Sequence, residues 1–537
     1  MKQTNKTRKT GAESAEGSIL TKGNGQQSNH GQTRSWIPVM SKLVAIRKLA
    51  AQNKTLKFNN LLHLITEELL MECFYTLKRD SAAGIDGVTW DKYQLFSKQL
   101  IKQLCEDIQS GRYKPKPARR IYIPKQDGSQ RPLNILCIRD KIVQQAVSKV
   151  LESIYESDFM GFSYGFRPER NQHQALDALY VALNRRKINW VLDLDITKFF
   201  DTVEHDWLIQ FLEHRVADKP LLKIITKWLK VGYVDEHNQR VKSLLGTPQG
   251  AVISPLLANV YLHYTFDLWL NRERHRSATG DVIMVRYADD AVIGFQHKND
   301  ANACLEGLKR RLSQFGLSVH PNKTKLIHFG RFAFEDFKRG KVQRPGTFDF
   351  LGFTHYCDLT KSRKAIMIKR KTIKKRLISK IKWVRQELKK RLHLPPWKVG
   401  KWLNQIIRGH INYYGVPMNG RSLNLFITEI TNAWLKQLRK LSQRHKMTWS
   451  RFRKLVDYWI PKARIVQPYP EQRFDVRPKV GAVCVSSART DLCGGVAGDR
   501  YSYRDRFILY KIFSENAYMC IRIVVYPQAL SCASGFF

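Results

Sequence analysis

Two adjacent carboxylates stand between apolar, strand-forming runs in the second half of the chain. Asp289 and Asp290 follow the run 281–286 and precede the run 291–295, both largely apolar and β-branched, a pattern that predicts a β-hairpin with the acids at its turn. Carboxylates crowded at a turn repel each other unless a cation lies between them, and hard oxygen ligands suit Mg²⁺. The hairpin is therefore a candidate metal site.

A second acidic strand is expected upstream, within residues 191–201. Its alternation places Asp193 and Asp195 on one face of the strand and apolar side chains on the other. Two metal ions held by Asp195, Asp289 and Asp290 could activate a 3′-hydroxyl and stabilise a leaving pyrophosphate, as two-metal polymerase sites do. A solvated hairpin turn is the alternative for Asp289 and Asp290 taken alone, and the acidic strand upstream favours the metal site.

The charge balance indicates a polyanionic partner. The 537 residues include 92 Lys and Arg against 46 Asp and Glu, which gives a formal net charge of +46. Such an excess is typical of nucleic-acid-binding proteins, with an anionic membrane surface as the alternative. No apolar run approaches the roughly 18–20 residues of a spanning helix, and the N-terminus shows no apolar signal segment. We therefore expect no membrane association.

The elements that must position these acids can be read from periodicity. Helical spacing begins near Ser41 and again over residues 59–77. Residues 120–124 and 131–135 bracket an Asp-Gly turn signal and predict a hairpin. An amphipathic helix is expected over 139–155, strands and helices over about 190–330, and Lys/Arg-rich helices beyond 360. The nine cysteines form no CxxC pair, so reduced thiols in a cytosolic protein are expected rather than a zinc or disulfide framework.

Eight sequence blocks, in this order, resemble the reverse transcriptases of the group II intron maturase family. They are Gly84-Ile85-Asp86-Gly87, Ile123-Pro124-Lys125 with Arg131-Pro132-Leu133, Ser163-Tyr164-Gly165-Phe166-Arg167-Pro168, Asp195-Ile196 with Phe199-Phe200-Asp201, Gly246-Thr247-Pro248-Gln249-Gly250 with Ser254-Pro255, Tyr287-Ala288-Asp289-Asp290, Asn322-Lys323-Thr324-Lys325, and Phe350-Leu351-Gly352-Phe353.

The resemblance implies an α+β right-hand polymerase. Fingers and palm, with an antiparallel palm sheet, would occupy residues 55–358, and an all-α thumb, called domain X, would occupy 362–470. A disordered basic extension is expected over 1–40, and residues 471–537 have no fold that the sequence supports. Some family members append a Cys-rich nuclease, but the cysteines near the C-terminus lack paired metal spacing, so no such nuclease is expected.

The resemblance also assigns the site. Asp195, Ile196, Asp289 and Asp290 would hold two Mg²⁺ ions. The nucleotide-binding residues would be Lys125, Arg131, Phe200, Gln249 and Lys323.

Physical arguments bear on several of these assignments, each with an alternative. Lys125 and Arg131 flank the fingers hairpin, where the point charge of the lysine and the guanidinium fork of the arginine can hold a triphosphate. Solvated charges are the alternative. The ring of Phe200 beneath the sugar would exclude a ribose 2′-OH by size, whereas Phe199 fits a core role. The turn at 246–250 lets the backbone approach a ligand closely, with an ordinary turn as the alternative.

Two further regions are assigned by resemblance. Phe350, Leu351 and Gly352 would form a primer grip, with an apolar strand pair in the core as the alternative. Residues 404–415 resemble the signature of domain X, although part of their apolar stripe must be helix core. The RNA-binding residues would be Lys369, Arg370, Lys371, Lys374, Arg408, His410 and Tyr413.

The function implied is an RNA-directed DNA polymerase that also binds its group II intron RNA and promotes splicing and mobility. Its partners would be intron and template RNA, a DNA primer or target, and dNTPs, within a cytoplasmic ribonucleoprotein of a bacterial host. The sequence leaves the oligomeric state open. One alternative is a splicing-only RNA-binding protein, which the intact acids disfavour. Another is a retron, defence or diversification reverse transcriptase, which the domain X signature disfavours.

Overall fold

The computed structural model describes residues 33–124, 130–340, 343–360, 362, 365–440 and 447–472. Lys125 lies outside these ranges. So do residues 1–32, which make up most of the predicted extension, and residues 473–537, which make up most of the predicted tail. Helix α1 begins at Thr33, so the extension predicted over 1–40 overlaps the first helix.

The described helices are α1 (Thr33–Gln52), α2 (Glu67–Thr76), α3 (Trp90–Leu95), α4 (Ser97–Gln109), α5 (Ile138–Tyr155), α6 (Gln172–Arg185), α7 (Phe199–Thr202), α8 (His205–Glu213), α9 (Lys219–Lys230), α10 (Ser254–Leu262), α11 (Leu268–Arg276), α12 (Lys298–Ser313), α13 (Arg331–Lys338), α14 (Lys374–Lys390), α15 (Pro396–Tyr414), α16 (Gly420–Lys440) and α17 (Trp449–Trp459). Leu62–Leu64 forms a 3₁₀ turn, and a π-helical segment, His263–Asp267, joins α10 to α11.

The described strands are β1 (Ala118–Pro124), β2 (Gln130–Ile135), β3 (Trp190–Leu194), β4 (Tyr233–Val234), β5 (Arg240–Val241), β6 (Val282–Tyr287), β7 (Asp290–Phe295), β8 (Lys325–His328), β9 (Phe348–Phe350), β10 (Phe353–Leu359) and β11 (Ile366–Thr372). They form three sheets, ordered β2-β1-β4-β5, β6-β7-β3-β8 and β11-β10-β9. The chain is thus a mixed α+β protein with several small sheets and a helical C-terminal region.

The antiparallel sheet β6-β7-β3-β8, here called the central sheet, is buried on both faces. Leu192 and Met284 belong to one apolar cluster, which includes α5, α8 and α10. Val191 and Ile283 belong to another, which includes α6 and the β9–β10 hairpin. Burial on both sides explains why β6 is apolar apart from Arg286 instead of alternating.

Both predicted hairpins are present. β1 pairs with β2 from Arg119↔Ile135 to Pro124↔Gln130, and β6 pairs with β7 from Val282↔Phe295 to Tyr287↔Asp290. The C-terminal helices also form as expected. α14, α15, α16 and α17 pack around an apolar cluster with Trp434 fully buried at its centre. No helix in the described ranges is long and apolar enough to cross a bilayer.

Three local predictions require correction. The helix expected over 59–77 begins only at Glu67, because Thr66 caps it by accepting a hydrogen bond from the Leu69 N–H. Helix α5 is buried on most of its sides rather than amphipathic. Residues 369–371, expected in a Lys/Arg-rich helical stretch, lie in β11, whose pairing with β10 overrides their helical propensity, and the basic helix α14 begins only at Lys374.

Candidate active site

The acidic turn is held in a single strained conformation. Ala288 has φ +58°, in the left-handed region that non-glycine residues rarely adopt. The segment before α6 packs directly against the turn, with the Tyr164 N–H donating to the Arg286 carbonyl at 2.8 Å. A Cβ at Gly165 would lie 2.3 Å from the Ala288 nitrogen, so only glycine permits this approach.

A buried ion pair fixes the strand that carries the turn. The Arg286 guanidinium donates to both carboxylate oxygens of Asp267, at 2.7 and 2.5 Å, and to the Asn259 side chain at 3.1 Å. It also donates to the Ala288 carbonyl at 2.8 Å. Both charged side chains are almost fully buried. Arg286 therefore anchors the backbone of the turn to the α10–α11 helices.

The acids of the two strands converge at one edge of the central sheet. β3 pairs with β7 up to Leu194↔Ala291, so Asp195 emerges beside Asp289 and Asp290. Burial, then the charges of Asp289 and Asp195, raise the pKa of Asp290 to about 6. Burial, then the charge of Asp195, also raises the pKa of Asp289. Like charges held this close favour a shared cation or a shared proton.

Asp193 belongs to the same edge. Burial, followed by the charges of Asp290, Asp349 and Asp195, raises its pKa to about 7. The predicted common face of Asp193 and Asp195 is confirmed, since both are half-buried while Leu192, Leu194 and Ile196 are buried.

Lys323 reaches this edge from a loop before β8. Its Nζ lies 3.0 Å from Asp195 Oδ2. The Asp195 carbonyl accepts a hydrogen bond from the His320 N–H at 2.8 Å. The sequence-predicted lysine is thus brought to the acids. Among the residues described, no three His, Cys, Asp or Glu side chains converge closely enough to hold an ion by themselves.

The 246–250 turn packs against the backbone of Phe200. The Thr247 N–H donates to the Phe200 carbonyl at 2.7 Å, and a Cβ at Gly246 would lie 2.8 Å from the same oxygen. Phe199 is buried, as its core interpretation predicts, and meets the half-buried Phe200 edge to face at 5.3 Å. Gln249 Nε2 lies 3.3 Å from Asp201 Oδ1, on the exposed side of this turn.

The β1–β2 hairpin docks on the same turn. The Asn134 N–H donates to the Gln249 carbonyl at 2.7 Å, and Gly250, at φ +98°, leaves room for that contact. Arg131 on β2 is close enough for its charge to oppose the rise in the pKa of Asp289 that burial and Asp195 cause. The structure therefore brings Arg131 to the acids, while Lys125 lies outside the described residues.

The β9–β10 turn meets the C-terminal helices. Leu351 (φ +45°) and Gly352 (φ +83°) form this tight turn, whose Leu351 carbonyl accepts a hydrogen bond from the Tyr413 hydroxyl at 2.9 Å. A Cβ at Gly352 would lie 3.1 Å from the Tyr414 hydroxyl and 3.4 Å from the Arg376 guanidinium. Arg376 also hydrogen-bonds Tyr414, and its charge opposes the rise in the pKa of Asp290 that burial and the neighbouring acids cause.

Comparison with known proteins fits this geometry. Residues 123–355 match the family described as "Reverse transcriptase (RNA-dependent DNA polymerase)", a range that contains all three acids. The chain therefore contains a reverse transcriptase domain.

Individual relatives extend the match. This reverse transcriptase is similar to Protein YkfC of Escherichia coli, with 41% identity over 43% of the chain and 62% of that protein. It is also similar to the group II intron-encoded protein LtrA of Lactococcus lactis, with 28% identity over 77% of the chain and 79% of LtrA. A third relative, the putative COX1/OXI3 intron 2 protein of Saccharomyces cerevisiae, is 33% identical over 47% of the chain and 35% of its own length. The chain thus spans less than two thirds of two of these three relatives.

Two of the residues predicted to bind RNA are buried in this reverse transcriptase, which contradicts a surface role. Arg370 is 1% exposed and pairs with Asp177 at 3.3 Å. His410 is buried and stacks on the Phe426 ring at 3.7 Å. Both face inward because the sides of β11 and α15 that carry them pack against neighbouring elements.

The other predicted RNA contacts differ in exposure. Lys371, Lys374 and Arg408 are exposed. Lys369 is half-buried and pairs with Asp358 at 3.0 Å. The Tyr413 hydroxyl already donates a hydrogen bond to the Leu351 carbonyl. Only the three exposed cations remain available to RNA in the form predicted.

Sequence reasoning missed Arg286, Asp267 and Arg376. A lone arginine within the apolar run of β6 was a usable signal for Arg286, because a charge in a strand buried on both faces needs a buried partner. Nothing local distinguishes Asp267 as that partner. Arg376 stands in the run Lys374-Lys375-Arg376, where periodicity alone does not show which cation faces the acids.

Proposed function

We propose that this reverse transcriptase copies RNA into DNA at Asp195 and Asp289 and also binds group II intron RNA to promote splicing and mobility. The observation that carries the first half is the convergence of Asp195, Asp289 and Asp290 from two strands at one edge of the central sheet. Arg131, Lys323 and Arg376 approach that edge from three other elements, which supplies the cations that a triphosphate and a primer require.

The donor set fits Mg²⁺. This ion is typically bound through one or two carboxylates together with water and substrate phosphates, not within an all-protein cage. This mode of binding agrees with the finding that, among the described residues, no three acidic side chains lie close enough to hold an ion by themselves. Asp195 and Asp289 would provide the carboxylates, Asp290 would add charge, and Ile196, whose side chain is buried, would contribute its backbone carbonyl. When bound, two ions supply charge neutralisation at the attacking and leaving oxygens.

The protein's own residues would position the substrates. In this proposal Lys323 leaves Asp195 and binds the pyrophosphate portion of the nucleotide. Arg131 and Lys125 hold the triphosphate from the β1–β2 hairpin. The Phe200 ring lies beneath the sugar, and Gln249 borders the base. The turn of Phe350, Leu351 and Gly352 holds the primer strand against α15. Catalysis then rests largely on orientation and charge.

We infer a right-hand arrangement from these roles. Fingers and palm would comprise residues 55–358, and α14 to α17 would form the thumb, or domain X, over 362–470. The antiparallel central sheet with its acidic edge supports the palm assignment. The contact of the β9–β10 turn with Tyr413 and Tyr414 supports a thumb placed beside the primer.

Intron binding rests on different support. The match to a group II intron-encoded protein covers 77% of the chain, so wherever it begins it extends past residue 355, where the reverse transcriptase match ends. The helical C-terminal region therefore takes part in the likeness. The exposed Lys371, Lys374 and Arg408, together with the net charge of +46, suit a large RNA partner.

Asp289→Asn and Asp195→Asn test the polymerase. Several kcal/mol of transition-state stabilisation depend on the metal ligands, so each variant should slow primer extension on an RNA template by about 10³-fold or more. Asp206→Asn, on the exposed face of α8, is the matched control and should extend normally. Wild-type extension rates in both site variants would refute the assignment of the site.

Splicing is tested separately with the same proteins. The group II intron RNA from the host locus should splice faster with wild-type protein, and equally fast with Asp289→Asn, because RNA binding is spread over many cations. A protein that extends primers but neither binds nor accelerates splicing of that RNA would refute the intron half of the proposal and leave the polymerase half standing.

A further inference from the structure

We propose that a groove lined by four lysines, outside the catalytic site, binds the phosphodiester backbone of RNA. Lys114, Lys223, Lys227 and Lys230 border a groove of about 450 Å³, together with Pro115, Thr226 and Val231. None of the residues assigned to catalysis or nucleotide binding lines it. The inference rests on the proposed function in one respect, that RNA is the polyanion this protein meets.

Helix α9 presents three of the lysines on one face. Lys223, Lys227 and Lys230 are spaced i, i+4 and i+7, which places them in a row. The opposite face is buried through Leu221, Leu222, Ile224, Ile225, Trp228 and Leu229. The row therefore cannot rotate away from solvent without exposing this apolar face.

The fourth lysine is tied to the same helix. The residue before Lys114, Tyr113, is fully buried, accepts a hydrogen bond from Trp228 Nε1 at 3.0 Å and donates to Asp140 at 2.6 Å. Lys227 Nζ in turn donates to the Tyr113 carbonyl at 2.7 Å. The segment that carries Lys114 is thus fixed relative to α9, so a bound strand would meet a preorganised set of cations.

The charges of the groove are uncompensated. Across the described ranges, no carboxylate lies within 4.0 Å of the nitrogen of any of these four lysines, in contrast to Lys116 nearby, which pairs with Asp86 at 3.6 Å. Burial, then the charges of Lys223 and Lys114, lower the pKa of Lys227. Like charges gathered without a counter-ion favour an anionic ligand.

The spacing suits a nucleic-acid strand better than a single phosphate or a bilayer. Lys223 and Lys230 are separated along the helix by about 10 Å, which corresponds to about three charges of one strand at about 3.4 Å each. A helix that binds membranes inserts large exposed apolar side chains beside its basic residues. The lining of this groove offers only Pro115 and Val231, and the lysines line a concavity.

The test is the salt dependence of RNA binding by the full chain. The variant K114Q/K223Q/K230Q leaves Lys227, which supports the Tyr113 carbonyl, in place. The control K92Q/K98Q/K102Q removes the same charge from exposed positions on α3 and α4. The probes are a labelled 30-nucleotide RNA strand, its duplex and the DNA duplex of the same sequence, titrated between 50 and 200 mM salt.

Each lost phosphate contact should lower the slope of log K against log salt by about 0.7–0.9. The groove variant should therefore lose about 2 to 3 units of slope on RNA, and the control well under one. An equal loss on DNA would also support backbone recognition. An unchanged RNA slope overturns the proposal, as does a slope change equal to that of the control. A loss of binding to anionic vesicles with an unchanged RNA slope would assign the groove to a membrane instead.

Two measurements keep this result distinct from the proposed function. Single-nucleotide incorporation on a short hairpin primer–template should be equal in the groove variant and the wild type. If the wild type itself fails to extend, the polymerase proposal fails while the binding slopes still decide the groove. If the triple variant does not fold, K114Q/K230Q should lose about 1.4 to 1.8 units of slope.

Discussion

The buried pair of Arg286 and Asp267 offers the most demanding prediction. Arg286→Met keeps an unbranched chain but removes the guanidinium that donates to Asp267, Asn259 and the Ala288 carbonyl. It leaves the Asp267 carboxylate, whose side chain is 0% exposed, without its cation. Burial already raises the pKa of Asp267 against the opposing effect of Arg286, so the orphaned carboxyl must be buried charged or take up a proton.

The magnitude follows from that geometry. Breaking a buried ion pair by removing one partner costs about 3–5 kcal/mol, whereas replacing both partners by apolar residues is often neutral. Arg286→Met should therefore lose about 3–5 kcal/mol, a large fraction of the roughly 5–15 kcal/mol that stabilises a domain. The double variant Arg286→Met/Asp267→Leu should recover most of this loss.

Activity should behave differently from stability. Both variants lose the hydrogen bond to the Ala288 carbonyl, so the strained turn that presents Asp289 is no longer held. Primer extension should fall by at least about tenfold in both, although only the single variant is strongly destabilised. That separation identifies Arg286 as a positioning residue, because a purely structural role would let activity return with stability.

Urea unfolding, monitored by tryptophan fluorescence, gives the difference in the free energy of unfolding. The comparison holds when the dependence of that free energy on urea concentration is the same in both proteins. Primer extension below the unfolding range gives the activity. Lys309→Met, which breaks an exposed pair with Glu306, is the control and should cost about 0–1 kcal/mol with no loss of extension. A cost below about 1 kcal/mol for Arg286→Met, or full recovery of extension in the double variant, would refute the reasoning.

Three further predictions follow from the same geometry. Phe200→Ala should reduce discrimination against ribonucleotides by at least about tenfold, because it removes the ring that we propose lies beneath the sugar. Single-nucleotide incorporation with dNTP and rNTP measures this, and unchanged discrimination would show that another residue excludes the ribose 2′-OH. Arg376→Gln should lower kcat/KM for primer–template by at least about fivefold while the neighbouring Lys375→Gln does not, and equal behaviour of the two variants would remove Arg376 from the site. Burial, then the charge of Arg370, lowers the pKa of His355 to about 3, so below about pH 6.5 the unfolded chain binds a proton that the folded protein does not. For this group the stability therefore falls by about 1.4 kcal/mol for each unit by which the pH is lowered. His355→Phe should flatten the fall between pH 6.5 and 5 by that amount in urea titrations, and an identical pH profile would contradict the burial of a neutral ring.

Local pattern was enough for the parts of the molecule whose signal is local. The β6–β7 hairpin follows from two apolar runs around two acids, and the β1–β2 hairpin from an Asp-Gly turn between strand-forming residues. The apolar stripe of α14 to α16 predicted packed helices, because residues three and four apart share a face whatever the rest of the chain does. The convergence of Asp195 with Asp289 was predicted from two-metal chemistry and from family resemblance, since no local pattern pairs β3 with β7.

Only the tertiary structure decided which charges face the site and which are buried. Arg370 and Arg376 lie six residues apart in one basic stretch, yet the first is buried against Asp177 and the second lies over the β9–β10 turn. The difference arises because 369–371 became a strand paired with β10, and strand alternation points Arg370 inward. Likewise, Lys323 meets Asp195 across 128 residues and Arg286 meets Asp267 across a helix and a loop. Such pairings depend on how separate elements pack, and charge pairs of this kind leave no periodic trace in the sequence.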